Sequence, residues 1–328
     1  MSTHPLCRWR MQVHHVRQET SDVWTIALIN ADFYRWQAGQ FALVQVANSA
    51  NLRAYTLSST PGQSEYITLT VRHIAEGLGS GWLTQHVRPG DYIWLSDPQG
   101  SFTCEQHPAD SYLMLAAGCG ITPIMSMCRW LRAWQPQCSV SLLYSVRSAS
   151  EVIFAEELAT LSSWLKLVII AEDAPTVDLP AGRITREWLQ KCVPDINQRT
   201  VMICGPQPYM HQMDQFARDL GAENIWQENF TAPDDTKENG KAEIFTLRSS
   251  GQVKSATFSA GNTLLNAMEK NQFSIEAACR SGVCGCCKTQ ILSGSYTTSS
   301  TQTLSDSEQQ AGYVLACSCL PVSDIIIA

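Results

Sequence analysis

What most constrains this chain is a run of cysteines near its C-terminal end, Cys279-Arg-Ser-Gly-Val-Cys284-Gly-Cys-Cys287, with Cys317 far beyond it. A C-x4-C-x2-C run followed by a distant fourth cysteine is the plant-type ligand spacing of a [2Fe–2S] cluster. Four soft thiolates complete two tetrahedral irons bridged by sulfide. Only Cys279, Cys284 and Cys287 keep that register, so with Cys317 they are the expected ligands, and Cys286 and Cys319 are neighbours. Small residues (Ser281, Gly282, Gly285) crowd the loop, as needed where backbone N–H groups must approach sulfur closely. A zinc site would want paired C-x2-C or His motifs, yet no histidine follows His211. A disulfide framework would want an even count in a secreted chain, and there are 13 cysteines. A cluster of this kind moves one electron at a time, so the chain handles electrons and must also obtain them.

The remaining bounds are broad. The length of 328 residues suits two or three domains, and 45% hydrophobic with 16% charged residues is a globular composition. A net charge of −7 gives no reason to expect nucleic acid or an anionic membrane as partner. No apolar run approaches the ~20 residues needed to span a bilayer. The first ten residues lack a signal-peptide core, and many free thiols point to a reducing cytoplasm.

Texture changes along the chain. Residues 8–108 read as an antiparallel barrel, with short strands at Val23–Ile29, Gln40–Val46, Ala54–Ser58, Tyr66–Ile74 and Tyr92–Leu95. Residues 109–230 alternate apolar strand, loop and amphipathic helix, as an α/β domain with a parallel sheet does. The polar stretch 231–240, with Pro and Gly, reads as a linker. Residues 241–328 then open with a hairpin (Glu243–Leu247, Val253–Phe258) and a helix near Thr263–Lys270, ahead of the cysteine loop.

The middle domain has the pattern of a dinucleotide site. The strand Tyr112–Ala117 runs into Gly118-Cys-Gly120-Ile-Thr122-Pro123, and a helix follows with Pro123 at its first position. Strand, glycine turn and helix aim backbone N–H groups at a pyrophosphate. A bare G-x-G also occurs in ordinary tight turns, and Pro123 replaces the third glycine of the Rossmann fingerprint. A second strand, Arg199–Cys204, ends in Cys204-Gly205-Pro206 before a helix from about Gln207 to Leu220. Two such turns at the carboxyl ends of parallel strands make a ligand crevice. The acidic residue expected about 20 positions past the first turn is missing, and that strand ends at Ser145-Val-Arg147. Arg147 is able to pair with a 2′-phosphate or to lie against adenine, while Glu172 and Asp173 would repel a phosphate. The residues alone leave NADH and NADPH both open.

A nicotinamide gives a hydride and a [2Fe–2S] cluster takes one electron, so a flavin is expected between them. Its candidate is Arg53-Ala-Tyr55-Thr56-Leu57-Ser58-Ser59, in which Arg53, Tyr55 and Leu57 share a strand face. A guanidinium for phosphate, an aromatic ring and a hydroxyl are the groups such a site needs. Gly77-Leu-Gly79-Ser80 would present N–H groups and a hydroxyl at a helix start.

In that order, Arg53-x-Tyr55-Thr-Leu-Ser58-Ser, Gly118-x-Gly120-Ile-Thr-Pro123 and Cys204-Gly-Pro206-x-x-Tyr209-Met210 resemble the ferredoxin–NADP reductase superfamily. With a C-terminal plant-type ferredoxin domain, the order is similar to the phthalate-dioxygenase-reductase arrangement. Within that group, Trp9–His15 and Ala278–Lys288 are most similar to the NADH oxidoreductases that serve the hybrid-cluster protein. The resemblance implies a β-grasp ferredoxin domain and FAD in the barrel, although a related subgroup with this domain order uses FMN. It places Arg53, Tyr55, Thr56, Leu57 and Ser58 around the flavin, with Gly79 and Ser80 at its phosphates. It assigns Gly118, Gly120, Thr122, Pro123, Ser145, Arg147, Gly205, Pro206 and Tyr209 to the nicotinamide side. Thr56 and Cys204 would flank hydride transfer, and Phe230 would border the isoalloxazine. Cys279 and Cys284 would hold the outer iron, Cys287 and Cys317 the other.

The expected path runs from NADH to FAD to [2Fe–2S] to a protein acceptor. The family links that acceptor, the hybrid-cluster protein, to reduction of nitric oxide or hydroxylamine. The alternatives are a reductase for a Rieske-type aromatic or amine oxygenase, and a non-catalytic iron–sulfur sensor. Plant-type clusters sit near about −400 mV, low for a nicotinamide-driven acceptor. Hydrogen bonds to sulfur, with Arg280 and Lys288 nearby, are expected to raise this one.

Overall fold

The structure, a computed structural model, describes residues 3–30, 33–49, 51–174, 180–230, 244–250, 254–280, 282–301 and 303–328. It divides into two compact units, Met1–Phe230 and Thr231–Ala328. The linker 231–240, Glu243, Val253 and Ser281 lie outside the described residues.

The first unit opens with six strands: β1 (Trp9–Thr20), β2 (Val23–Ile29), β3 (Phe41–Gln45), β4 (Leu52–Thr56), β5 (Ile67–Arg72) and β6 (Tyr92–Leu95). They form one antiparallel sheet in the order β4-β3-β6-β1-β2-β5. A bridge from Leu57 to Leu69, with the Ser58 N–H donating to the Thr68 carbonyl at 2.8 Å, joins the two edge strands. The sheet thereby curls round on itself at this point, as a barrel does. Met11, Val13, Ile26, Leu28, Leu69 and Ile93 fill its interior. Helix α1 (Leu78–Gln85) adds Leu83 to that core.

A five-stranded parallel sheet follows, made of β7 (Ser111–Ala117), β8 (Ser139–Ser148), β9 (Lys166–Ala174), β10 (Thr200–Cys204) and β11 (Ile225–Glu228). The order is β11-β10-β7-β8-β9, so the strand sequence reverses between β7 and β10. The helices are α2 (Ile121–Trp134), α3 (Ala155–Leu161), α4 (Arg186–Cys192) and α5 (Gln207–Asp219). Alternation along β7 explains its unbroken apolar run. Tyr112, Met114 and Ala116 pack with Ile124, Met127 and Leu131 of α2, whereas Leu113 and Leu115 pack with Leu189 of α4 and Met213 of α5. Both faces are buried, as parallel sheets require.

The second unit has β12 (Ile244–Ser249), β13 (Ser255–Ser259), α6 (Leu264–Lys270), β14 (Lys288–Ser293), β15 (Tyr296–Thr298), α7 (Asp306–Gln310), β16 (Tyr313–Leu315), β17 (Cys319–Pro321) and β18 (Ile325–Ile327). A mixed sheet, β13-β12-β18-β14-β16, packs on α6 as in a β-grasp, and β15 pairs with β17. Thr263 caps α6 by accepting from the Asn266 N–H at 3.2 Å. Ser305 and Glu308 form a reciprocal capping box on α7.

Three sequence expectations need correction. β1, the longest strand of the barrel, is absent from the strands expected above. A register shift between Val13 and His15 puts two exposed histidines side by side and breaks the alternation that announces a strand. The strand expected at Ala54–Ser58 is β4, Leu52–Thr56, which ends before Leu57. Pro123 is the third residue of α2, because Gly118–Gly120 form a 3-10 turn that the helix continues from Ile121. Proline is tolerated there because the first four N–H groups of a helix lack intrahelical partners.

Candidate functional site

β4 ends beside the start of α1. A Cβ built on Gly79 would lie 2.7 Å from both Arg53 Cγ and the Tyr55 hydroxyl, so only glycine lets the three converge. Val44 opposes Arg53 and Ala42 opposes Tyr55 across β3, which sends both side chains to the α1 side of the strand. Burial raises the Tyr55 phenol well above its ordinary pKa, and Arg53 lowers it only in part. The Ser80 hydroxyl accepts from the Ile74 N–H at 3.3 Å. Thr56 is buried with its hydroxyl unpartnered. That orphan suits a bound polar ring, since an unsatisfied buried hydroxyl costs about 1–3 kcal/mol. The Ser58 hydroxyl is instead spent on Thr68 and Thr70, each at 2.8 Å. Leu57 lies wholly inside the barrel core, and its N–H donates to Gln40. Its side chain therefore leaves the face shared by Arg53 and Tyr55.

The two glycine turns after β7 and β10 meet backbone to backbone. A Cβ on Gly120 would stand 2.0 Å from the Cys204 carbonyl oxygen and 2.7 Å from the Gly205 nitrogen. On Gly205 it would meet Tyr209 at 2.9 Å and Ala117 at 3.0 Å. Gly118 adopts φ +53°, and the Thr122 hydroxyl donates to the Cys119 carbonyl at 3.0 Å. Pro123 is buried in α2, and Pro206 is the exposed N-cap of α5. Ser145 aligns with Ala117 on β8, and the Tyr209 hydroxyl beside it is buried without completing a hydrogen bond. Arg147 is exposed at a register irregularity between β8 and β9, and Glu172 pairs with Arg183 at 3.1 Å. Cys204 is fully buried, and burial, reinforced by Glu228, raises its thiol well above the ordinary range. It is a packed, wholly buried thiol whose neutral form is favoured.

Glu228 is the residue that the sequence reading passed over. It ends β11 in register with Cys204, buried, with Oε2 unpartnered. Burial pushes its carboxyl up to about 8. A Cβ on Gly100 would lie 3.5 Å from its Oε1 and against the Phe41 ring, and Phe41 opposes Thr56. Barrel and parallel sheet thus meet with orphaned polar groups on both sides. The sequence signal was thin: one acid at the end of a short strand. Phe230 follows, 40% exposed.

In the second unit the four expected sulfurs converge. Cys287 Sγ and Cys317 Sγ are 3.3 Å apart. The Gly282 N–H points at Cys317 Sγ (3.1 Å), that of Val283 at Cys279 Sγ (3.4 Å) and that of Cys279 at Cys284 Sγ (3.5 Å). Gly282 and Gly285 both take φ +76°, which turns these amides inward at little cost. Four clustered cysteine sulfurs, three of them facing amide N–H groups, form a donor set that fits a [2Fe–2S] cluster. Cys286 lies against Cys284, and Cys319 is wholly buried on β17. The expected cationic tuning is changed. Arg280 is paired with Glu269 and Lys288 with Glu308, so both charges are offset, leaving the amide hydrogen bonds to act.

Residues 19–104 match the oxidoreductase FAD-binding domain, 114–215 the oxidoreductase NAD-binding domain, and 247–322 the 2Fe-2S iron-sulfur cluster binding domain. The chain is 52% identical to NADH oxidoreductase HCR of Escherichia coli (strain K12), over 98% of each chain. It is 29% identical to the glycine betaine monooxygenase reductase subunit of Chromohalobacter salexigens, over 97% of this chain and 96% of that one. Among solved structures, phthalate dioxygenase reductase shares the fold, with a TM-score of 0.68 and 24% identity over 97% of both chains. No helix among the described residues is long and apolar enough to cross a membrane. The chain therefore belongs to the family of NADH oxidoreductase HCR, a three-domain oxidoreductase that passes electrons from NADH through FAD to a [2Fe–2S] cluster.

Proposed function

We propose that this reductase delivers its electrons, in the cytoplasm, to the hybrid-cluster protein, which uses them to reduce nitric oxide or hydroxylamine. The observation that carries this reading is the 52% identity, spread over 98% of both chains, with an HCR reductase. When bound, the flavin supplies the exchange between paired and single electrons. The chain's own residues hold and align. Arg53, Tyr55, Gly79 and Ser80 seat the flavin and its phosphates, and the Thr56 hydroxyl meets the ring. Leu57 and Ser58 serve through their backbone and by closing the barrel. The turns Gly118–Pro123 and Gly205–Pro206 offer N–H groups to the dinucleotide, with Ser145, Arg147 and Tyr209 beside it. Cys204 acts as a neutral wall that sets the approach of the hydride donor. Glu228, protonated at neutral pH, offers a carboxyl hydrogen there, and Phe230 covers the ring. Cys279, Cys284, Cys287 and Cys317 ligate the cluster.

The corresponding domain limits are 8–108, 109–230 and 241–328, with 231–240 as the linker between the last two. With cofactor and nucleotide bound, these residues would contribute alignment more than proton transfer, because hydride chemistry depends on how the reactants are positioned. A second reading, service to a Rieske-type oxygenase, rests on the 29% identity with a monooxygenase reductase subunit. Reconstitution with each purified client, following NADH consumption, separates them. Faster turnover with an oxygenase than with the hybrid-cluster protein would overturn the first.

A further inference from the structure

A cavity of about 570 Å³ lies where the barrel meets α2 and α3, lined mainly by residues outside the site above, with Ser59 and Thr68 at its edge. β1 contributes Arg17 and the loop after β4 contributes Gln63; α2 contributes Arg129 and Arg132, and α3 contributes Glu157. Two of the guanidiniums are held in place. Arg17 binds Glu19 through Nε and Nη2, at 3.0 and 2.7 Å. Arg129 grips Glu157 with two bonds of 2.6 Å and donates its third nitrogen to the Ser58 carbonyl. Arg132 and the Gln63 side chain make no hydrogen bond or ion pair among the described residues. With Glu19 and Glu157 offsetting Arg17 and Arg129, one full positive charge is left over, in a chain of net charge −7.

We infer that this cavity binds a small phosphomonoester bearing hydroxyls, of the sugar-phosphate class. Its volume falls within the ~300–1,000 Å³ of small-molecule sites. The Arg132 fork and the remaining Arg17 Nη1 suit phosphate oxygens, which guanidinium groups bind in pairs. Gln63 and Ser64 line the same space and suit ring hydroxyls, while the Thr25 hydroxyl is already engaged by Glu19 and Thr70. The bonds to Glu19 hold the Arg17 guanidinium in place, which lowers its ordering cost on binding. Because the walls come from both halves of the first unit, the ligand clasps them together.

The test is calorimetric titration of the flavin- and cluster-loaded protein with ribose 5-phosphate and glucose 6-phosphate, in saturating NAD+ to occupy the nucleotide crevice. At least one of the two is expected to bind saturably, with free ribose and inorganic phosphate each about tenfold weaker or more. Arg132→Glu, at an exposed and unpartnered position, is expected to weaken binding about tenfold or more while leaving NADH oxidation with an artificial acceptor unchanged. Absence of saturable binding by both sugar phosphates overturns the inference. So does affinity untouched by Arg132→Glu, or inorganic phosphate binding as tightly.

Discussion

Replacing Thr56 with valine separates a cofactor-binding role from a structural one by the sign of its effect. The Thr56 hydroxyl is buried and unpartnered. A buried unsatisfied hydroxyl costs about 1–3 kcal/mol, and valine keeps both the shape and the β-branched preference for the end of β4. In the flavin-free protein Thr56→Val is therefore expected to be stabilising by about 1–3 kcal/mol. For a unit of this size each kcal/mol raises the melting temperature by about 2–4 °C. In the flavin-loaded protein the variant loses a hydrogen bond to the ring, worth about 1 kcal/mol. The two effects add in the binding equilibrium to about 2–4 kcal/mol, so FAD affinity should fall by about thirtyfold or more. Scanning calorimetry of both forms and a flavin titration read all three quantities. A lower melting temperature for flavin-free Thr56→Val, or an unchanged FAD affinity, would refute the reasoning.

Three further outcomes follow from the same geometry. Burial raises the Glu228 carboxyl to about 8, so with cofactors removed the folded state favours its protonated form. The stabilising effect of that proton is complete below the unfolded value near 4.5 and is lost as pH rises to about 8. Glu228→Gln should flatten the loss, which is on the order of a few kcal/mol; urea unfolding at several pH values measures it. A Cβ at Gly120 collides with the Cys204 carbonyl at 2.0 Å, where no side chain can move aside. Gly120→Ala should destabilise by about 1–3 kcal/mol and raise the KM for NADH, seen by thermal melts and steady-state kinetics. Cys317→Ser should abolish the cluster but keep flavin reduction by NADH, whereas Cys286→Ser and Cys319→Ser should retain full iron content by chemical assay.

The cluster loop was the most legible part of the sequence because coordination chemistry demands ligands at set spacings, and nothing else in the chain mimics C-x4-C-x2-C. The parallel sheet was readable for a related reason: burial on both faces of β7 forces an unbroken apolar run. β1 was not readable, since the shift between Val13 and His15 disrupts the two-residue period on which strand recognition depends. Leu57 shows the same limit from the other side. Alternation put it with Arg53 and Tyr55, but β4 ends at Thr56 and the chain turns to close the barrel. Glu228 was missed because its meaning is tertiary. A single carboxylate at the end of β11 becomes informative only once Cys204 and Gly100 are seen to enclose it.

The most direct test of the electron path is anaerobic titration of the loaded protein with NADH, followed by absorbance and by electron paramagnetic resonance at low temperature. Flavin bleaching accompanied by the one-electron signal of a reduced [2Fe–2S] cluster is the predicted result. Bleaching of the flavin with a cluster that stays oxidised through excess NADH would contradict it.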